Sequence, residues 1–364
     1  MQKRVTFIWV ILACFLGLCG CAARYVLAPD GEYDYRVPVG RGEAQAGFET
    51  LLVSTVKVVW SPQYENTFYS HDHRNDIGMR LPLPLPDEKS PTGFRLLQDG
   101  IRETIDSYSK VGTGLVVARQ RATNEFDIAV ALTTAHLVTA PDTIRYFMRD
   151  ARGTETSVLE RLSVKISASL QVMNRDGESI KARILRLSAS KDLALLKLDV
   201  HNLMRSPLPF GLPLGKASDL KWGNFVYIVG HPKNKVRLTA GTVSLDGQAD
   251  RFFVDAAVRA GYSGGPVVAV RDGLPHFELM GLCRGATTET FRLLIPDHKL
   301  VDGTILSPEL LSQISVAEHD VVELGSGFAV GIGALKQFLL NSRDELMEIR
   351  MDIISDASLR MWGF

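Results

Sequence analysis

Cysteine is scarce in this chain and poorly placed for cross-linking. Of four, Cys14, Cys19 and Cys21 crowd the first 21 residues, and Cys283 stands alone in everything that follows. A disulfide framework is therefore excluded for the body of the chain, whose stability has to come from a core. Net charge is missing too. The 41 Lys+Arg balance 41 Asp+Glu, so no bulk basic field points to nucleic acid as a partner. A comfortable membrane span is also lacking: Val5–Leu18, an almost unbroken apolar run, has fourteen residues, whereas a spanning helix needs about 20.

The 364 residues are 46% hydrophobic and 23% charged. That is ordinary globular composition, enough for one large or two modest domains. Lys3 and Arg4 ahead of the apolar run suit a secretory signal. Leu18-Cys-Gly-Cys21 then resembles the bacterial lipoprotein cleavage motif, with Cys21 as the residue lipidated; Cys19, preceded by Leu18, fits poorly. Residues 1–21 are expected to be this signal and 22–49, polar and glycine-rich, a tether. Export would leave Cys283 as one free thiol. The expectation is a periplasmic body held to a membrane by the lipid, and Ala22-Ala23 favours the outer one.

The body reads as many short strands with turn signals between them, an all-β sandwich or barrel. Leu51–Trp60, Val111–Ala118, Asp127–Ala135, Leu170–Leu187 (a hairpin about Arg175-Asp-Gly177), Lys191–Leu198, Trp222–Gly230, Leu238–Ser244 and Phe277–Cys283 carry the pattern. Ser61–Ser109 interrupts it. The Leu81–Pro86 repeat within that stretch cannot enter a central strand, because each proline lacks an N–H. His71 and His73 lack a third partner and read as a polar loop, and no metal or other cofactor is expected.

The chemistry-bearing stretch is Asp255-Ala-Ala-Val-Arg-Ala-Gly-Tyr-Ser-Gly-Gly-Pro266. Clustered glycines permit a tight turn that aims backbone N–H groups at one point beside Ser263, the geometry an oxyanion hole requires. Upstream, His136 ends an apolar strand and Asp192 stands at the mouth of another. His231, in Gly230-His-Pro232, is the competing histidine. Taken singly, each of these reads as well as a structural residue.

The order His136, Asp192, Ser263 matches the chymotrypsin-like proteases, and the surrounding motifs resemble the HtrA/Deg branch. Thr134-Ala-His136, Lys191-Asp-Leu-Ala-Leu-Leu-Lys197, Gly230-His-Pro232, Thr239–Ser244, the Ser263 loop and Gly327-Phe-Ala-Val330 carry the resemblance. It implies two six-stranded β-barrels over 50–345, followed by a C-terminal helical tail, 346–364. Leu335, Phe338, Leu339, Leu346, Ile349 and Ile353 fit one or two amphipathic helices. Insertions are expected near 61–109, 141–169 and 286–324, with no room for the family's PDZ domain.

By the same resemblance, Ser263 is the nucleophile, His136 the base and Asp192 its orienting group. Gly261 and Ser263 supply the oxyanion hole. Ala257 forms the base of the primary pocket, favouring small or medium aliphatic residues, and Gly281-Leu-Cys283 pairs with an extended polypeptide substrate. Homo-oligomers are common in the family. Arg259-Ala260 and Tyr262 depart from its loop and leave two other readings open. One is a catalytically silent barrel that binds proteins; the other is a structural envelope lipoprotein with a coincidental triad.

Overall fold

The computed structural model describes residues 29–35, 43–120, 127–150, 153–200, 206–245, 247, 250–296, 314–351 and 357–363; the side chains of 43, 287–324 and 357–358 lie outside that description. The chain divides into Met1–Glu32, of which 29–32 are described, and Tyr33–Phe364, which holds the described secondary structure.

Strands β1 (Thr55–His71), β2 (Leu96–Ser107), β3 (Lys110–Gln120), β4 (Ile128–Thr133), β5 (Thr143–Arg149), β6 (Glu155–Met173), β7 (Ser179–Ser188) and β8 (Leu193–Asp199) form one antiparallel sheet. Its order is β2-β1-β3-β4-β8-β7-β6-β5, and a further β1–β6 pairing joins six of the strands in a ring. Strands β9 (Phe225–Gly230), β10 (Arg237–Ser244), β11 (Arg251–Ala256), β12 (Pro266–Val270), β13 (Phe277–Pro296) and β14 (Ile314–Gly331) close a second barrel, in the order β10-β11-β14-β13-β12-β9. The all-β, two-barrel expectation is met.

The near-continuous apolar strands follow from burial of both faces. Side chains alternate across a strand. On β3, Val116 points into the first barrel with Val56, Val58, Ala131, Leu196 and Leu198. Its neighbours Leu115 and Val117 point the other way, into a core shared with Val229, Val268 and Leu279 of the second barrel. That barrel fills its own interior with Val226, Ile228, Val243, Val254, Val267 and Met280. Helix α2 (Ile332–Leu340) follows α1 (Glu43–Val53) in chain order, with α3 (Arg343–Glu348) and α4 (Ala357–Met361) after it. Leu335, Phe338 and Leu339 of α2, Leu346 of α3, and then Ile349 and Trp362 seal the shared core. Each such side chain contributes about 1.5–3 kcal/mol. Ile353 lies outside the described residues.

One expectation needs correction. Leu51–Trp60 is not one strand: α1 runs to Val53 and β1 starts at Thr55. Within the expected tether, α1 begins at Glu43. Leu51 is wholly buried in the shared core, with Phe48 and Leu52 packed against it. Tertiary burial of this helical face outweighs the strand propensity of the stretch. Tyr33, within the same expected tether, is buried and donates its hydroxyl to Glu278 (2.5 Å).

The stretches read as insertions at 61–109 and 141–169 hold strands. Beyond Trp60, β1 continues between β2 and the outer half of β6, which β5 flanks, giving a four-stranded arm. His71 is buried there and its Nε2–H donates to the Leu159 carbonyl (2.8 Å). Leu81–Pro86 lies outside the named strands. Among the described residues no helix is long and apolar enough to cross a membrane.

Candidate active site

β4 ends at Thr133, and a single 3-10 turn, Ala135–Leu137, carries His136. Lys110 pins that turn by donating its Nζ hydrogens to the carbonyls of His136 (2.9 Å) and Thr139 (2.8 Å). Asp192 precedes β8 in a left-handed conformation, φ 53°, which aspartate tolerates better than most residues. This kink brings its backbone carbonyl to the Ala135 N–H (3.1 Å) and its carboxylate under His136. Oδ1 accepts the His136 backbone N–H (2.9 Å) and Oδ2 accepts Nδ1–H (2.8 Å). With the proton on Nδ1, Nε2 is left as an acceptor, and the Ser263 hydroxyl lies 3.2 Å from it. Three residues from two barrels thus meet in one hydrogen-bonded line.

A third donor reaches the carboxylate. Arg284 Nε–H donates to the same Oδ2 at 2.6 Å. Burial alone would raise the Asp192 pKa, but the side-chain, charge and backbone effects of His136, with the Arg284 hydrogen bond, outweigh it and hold the carboxyl below its ordinary value. Asp192 therefore stays ionised where an imidazolium would form.

The Ser263 loop is held from behind by a short relay. Gly261 has φ 105°, and a Cβ there would lie 2.5 Å from Pro232 Cα. Its carbonyl points inward and accepts the His231 N–H (2.9 Å) and the Thr113 hydroxyl (2.9 Å). Because Thr113 gives away its one hydroxyl hydrogen, the 3.0 Å contact to His231 Nδ1 must run the other way, Nδ1–H to Oγ1. His231 is buried, and desolvation, with the charge of Lys57, lowers its pKa to about 4, so the ring is neutral. Thr113 also donates its N–H to the Ser263 carbonyl (2.8 Å) and accepts the Thr133 hydroxyl on its own carbonyl (2.7 Å). The competing histidine is a buttress. The N–H groups of Gly261 and Ser263 donate to none of the described residues. Tyr262, whose ring departs from the family's loop, is buried in the second barrel's core.

A family profile for the trypsin-like peptidase domain matches residues 112–274. Serine protease HTRA1A of Danio rerio is 31% identical over 143 residues, 36% of this chain and 28% of that protein. Serine protease HTRA3 of Homo sapiens is 27% identical over 196 residues, 44% of this chain and 41% of that protein. A probable periplasmic serine endoprotease, DegP-like, of Chlamydia muridarum is 29% identical over 116 residues, 29% and 22% of the two chains. Residues 112–274 are thus similar to a trypsin-like peptidase domain, and the relatives are HtrA- and DegP-like serine proteases. The chain spans less than half the length of these relatives.

Two expected positions fall elsewhere in this structure. Gly281-Leu-Cys283 is not a free edge. Gly281 and Leu282 pair with β12 on one side, and all three residues pair with β14 on the other. The Cys283 backbone N–H and carbonyl are taken by Gly265 (2.8 Å) and Gly264 (2.7 Å). A closed barrel has no edge there; β13 leaves β12 only beyond Cys283, at Arg284–Ala286. Ala257 is exposed and does not line the cavity beside Ser263. That cavity, about 290 Å³, is lined by His136, Arg259, Ala260, Ser263, Arg284–Ala286 and Phe328. Cys21 lies outside the described residues.

Sequence reasoning missed Thr113 and Arg284. The first had a signal, a threonine between Gly112 and Gly114 in a strand otherwise apolar. The second had none, because a bulge between Cys283 and Gly285 decides where Arg284 points.

Proposed function

We propose that the chain is a cell-envelope serine endopeptidase, lipid-anchored through Cys21, with outer-membrane placement favoured, that cleaves polypeptides through an acyl-enzyme. One observation carries the chemistry: Ser263 Oγ, His136 and Asp192 stand in one hydrogen-bonded line. His136 Nε2 takes the Ser263 proton as Oγ attacks the scissile carbonyl carbon. Asp192 holds the ring in the required tautomer and stabilises the imidazolium. The N–H groups of Gly261 and Ser263 receive the developing oxyanion, each donor contributing about 3 kcal/mol to lowering the barrier. His136 then protonates the leaving amine, and water attacking the ester by the same route releases the acid and restores Ser263.

The periplasmic DegP-like relative supports the compartment, and Leu18-Cys-Gly-Cys21 supports the anchor. The proposed domain limits are 1–21 signal, 22–49 tether (its last residues helical), 50–345 protease and 346–364 tail. Extended substrate is assigned to the β13 backbone at Arg284–Ala286, where pairing with β12 has ended. The test is labelling of the soluble chain from Ala22 by a fluorophosphonate, with Ser263→Ala as control. Labelling of the wild type alone supports the reading. A folded wild type that neither labels nor cleaves would instead be a silent binding module.

A further inference from the structure

We propose that the cavity beside Ser263 selects substrates with Asp or Glu as the residue whose carbonyl is attacked. The inference rests on the protease reading and adds a specificity to it. An attacked carbonyl must sit against Ser263 Oγ with its oxygen at the Gly261 and Ser263 N–H groups. The side chain of that residue then enters the cavity sharing Ser263 and His136 in its wall.

The wall holds two cations and no carboxylate. Arg259, from the Ser263 loop, and Arg284, from β13, both line it, with Ala260, Gly285, Ala286 and Phe328 completing the lining. The carboxylate bonded to the wall, Asp192, is buried and already accepts from His136 and Arg284. It offsets one arginine and leaves the other uncompensated, a net excess of one positive charge among the described residues of the wall. Arg284 spends its Nε–H on Asp192 while its guanidinium rests over Phe328, 4.9 Å from the ring centroid. Its Nη donors have no partner among the described residues, so a planar fork remains for an incoming carboxylate.

The charge balance decides between substrate classes. A Lys or Arg side chain would place a third cation beside two. An aliphatic one would remove water from charged groups and give nothing back. A carboxylate neutralises the excess and meets paired donors. The aliphatic preference expected from Ala257 fails for a geometric reason: Ala257 is not in the wall.

The experiment compares C-terminally blocked peptides that are identical except for Glu, Gln, Val or Lys at that residue, so the side chain is the sole added charge. Wild type is expected to cleave the Glu peptide with kcat/KM roughly tenfold or more above its Gln isostere, with the ratio shrinking at high salt. Lys should be poorest. Arg259→Gln and Arg284→Gln are each expected to cut the Glu:Gln ratio by about threefold or more. Being taken within one protein, the ratio is insensitive to overall loss of activity; if Arg284→Gln does not turn over, Arg259→Gln decides. Fluorophosphonate labelling with cleavage of Val or Gln peptides at least equal to Glu would overturn the specificity and leave the protease standing. No labelling and no cleavage of any peptide would take down both.

Discussion

Thr113→Val tests whether the buried relay behind the Ser263 loop sets its shape. The two side chains have nearly the same volume, so the substitution removes hydrogen bonds without opening a cavity. His231 Nδ1–H would lose its acceptor (3.0 Å) and remain buried, at about 1–3 kcal/mol. The Gly261 carbonyl would lose one of two donors but keep the His231 N–H, at about 0.5–1.5 kcal/mol. The backbone contacts of Thr113 to Ser263 and Thr133 survive. The total is a destabilisation of about 1.5–4.5 kcal/mol, read as a lower urea midpoint at unchanged slope. Because the freed carbonyl lies in the Gly261–Tyr262 peptide, between the two proposed oxyanion donors, the Gly261 and Ser263 N–H groups, fluorophosphonate labelling should slow by roughly tenfold or more. Thr113→Ser keeps both bonds and should recover most of both effects. A Thr113→Val protein within about 0.5 kcal/mol of wild type, labelling at the wild-type rate, would refute the relay.

Other perturbations have equally definite outcomes. Gly264→Ala would put a Cβ 2.0 Å from the Thr113 carbonyl oxygen at φ 82°; a loss of about 3 kcal/mol or more is expected, seen as a lowered melting temperature and lost labelling. Asp192→Asn preserves shape but removes the charge and the tautomer control, so labelling should fall by roughly four orders of magnitude while the fold persists in circular dichroism. His231, about 4 folded against 6.5 unfolded, binds more protons in the unfolded state between those values. Its contribution is therefore full above pH 6.5 and is lost as pH falls towards 4, about 3 kcal/mol in all. Urea melts across that window should show the slope, and His231→Gln should flatten it; an unchanged slope would count against a buried neutral ring.

Some of this protein follows from sequence alone. Strands such as Val111–Ala118 and Lys191–Leu198 were legible because alternation and β-branching are local properties. The ordered motifs around His136, Asp192 and Ser263 were legible because each chemical role restricts residue type within a few positions. Near Leu51 the local signal misled: a helical face buried in the core between the barrels outweighed strand propensity. What the cavity beside Ser263 accepts was decided only by tertiary structure. Arg284 is 92 residues from the Asp192 it holds, Thr113 is 118 from His231 and 148 from Gly261, and Gly281–Cys283 is closed off by strands on both sides. Contacts of that span arise from barrel closure and one bulge in β13, and no local pattern encodes either.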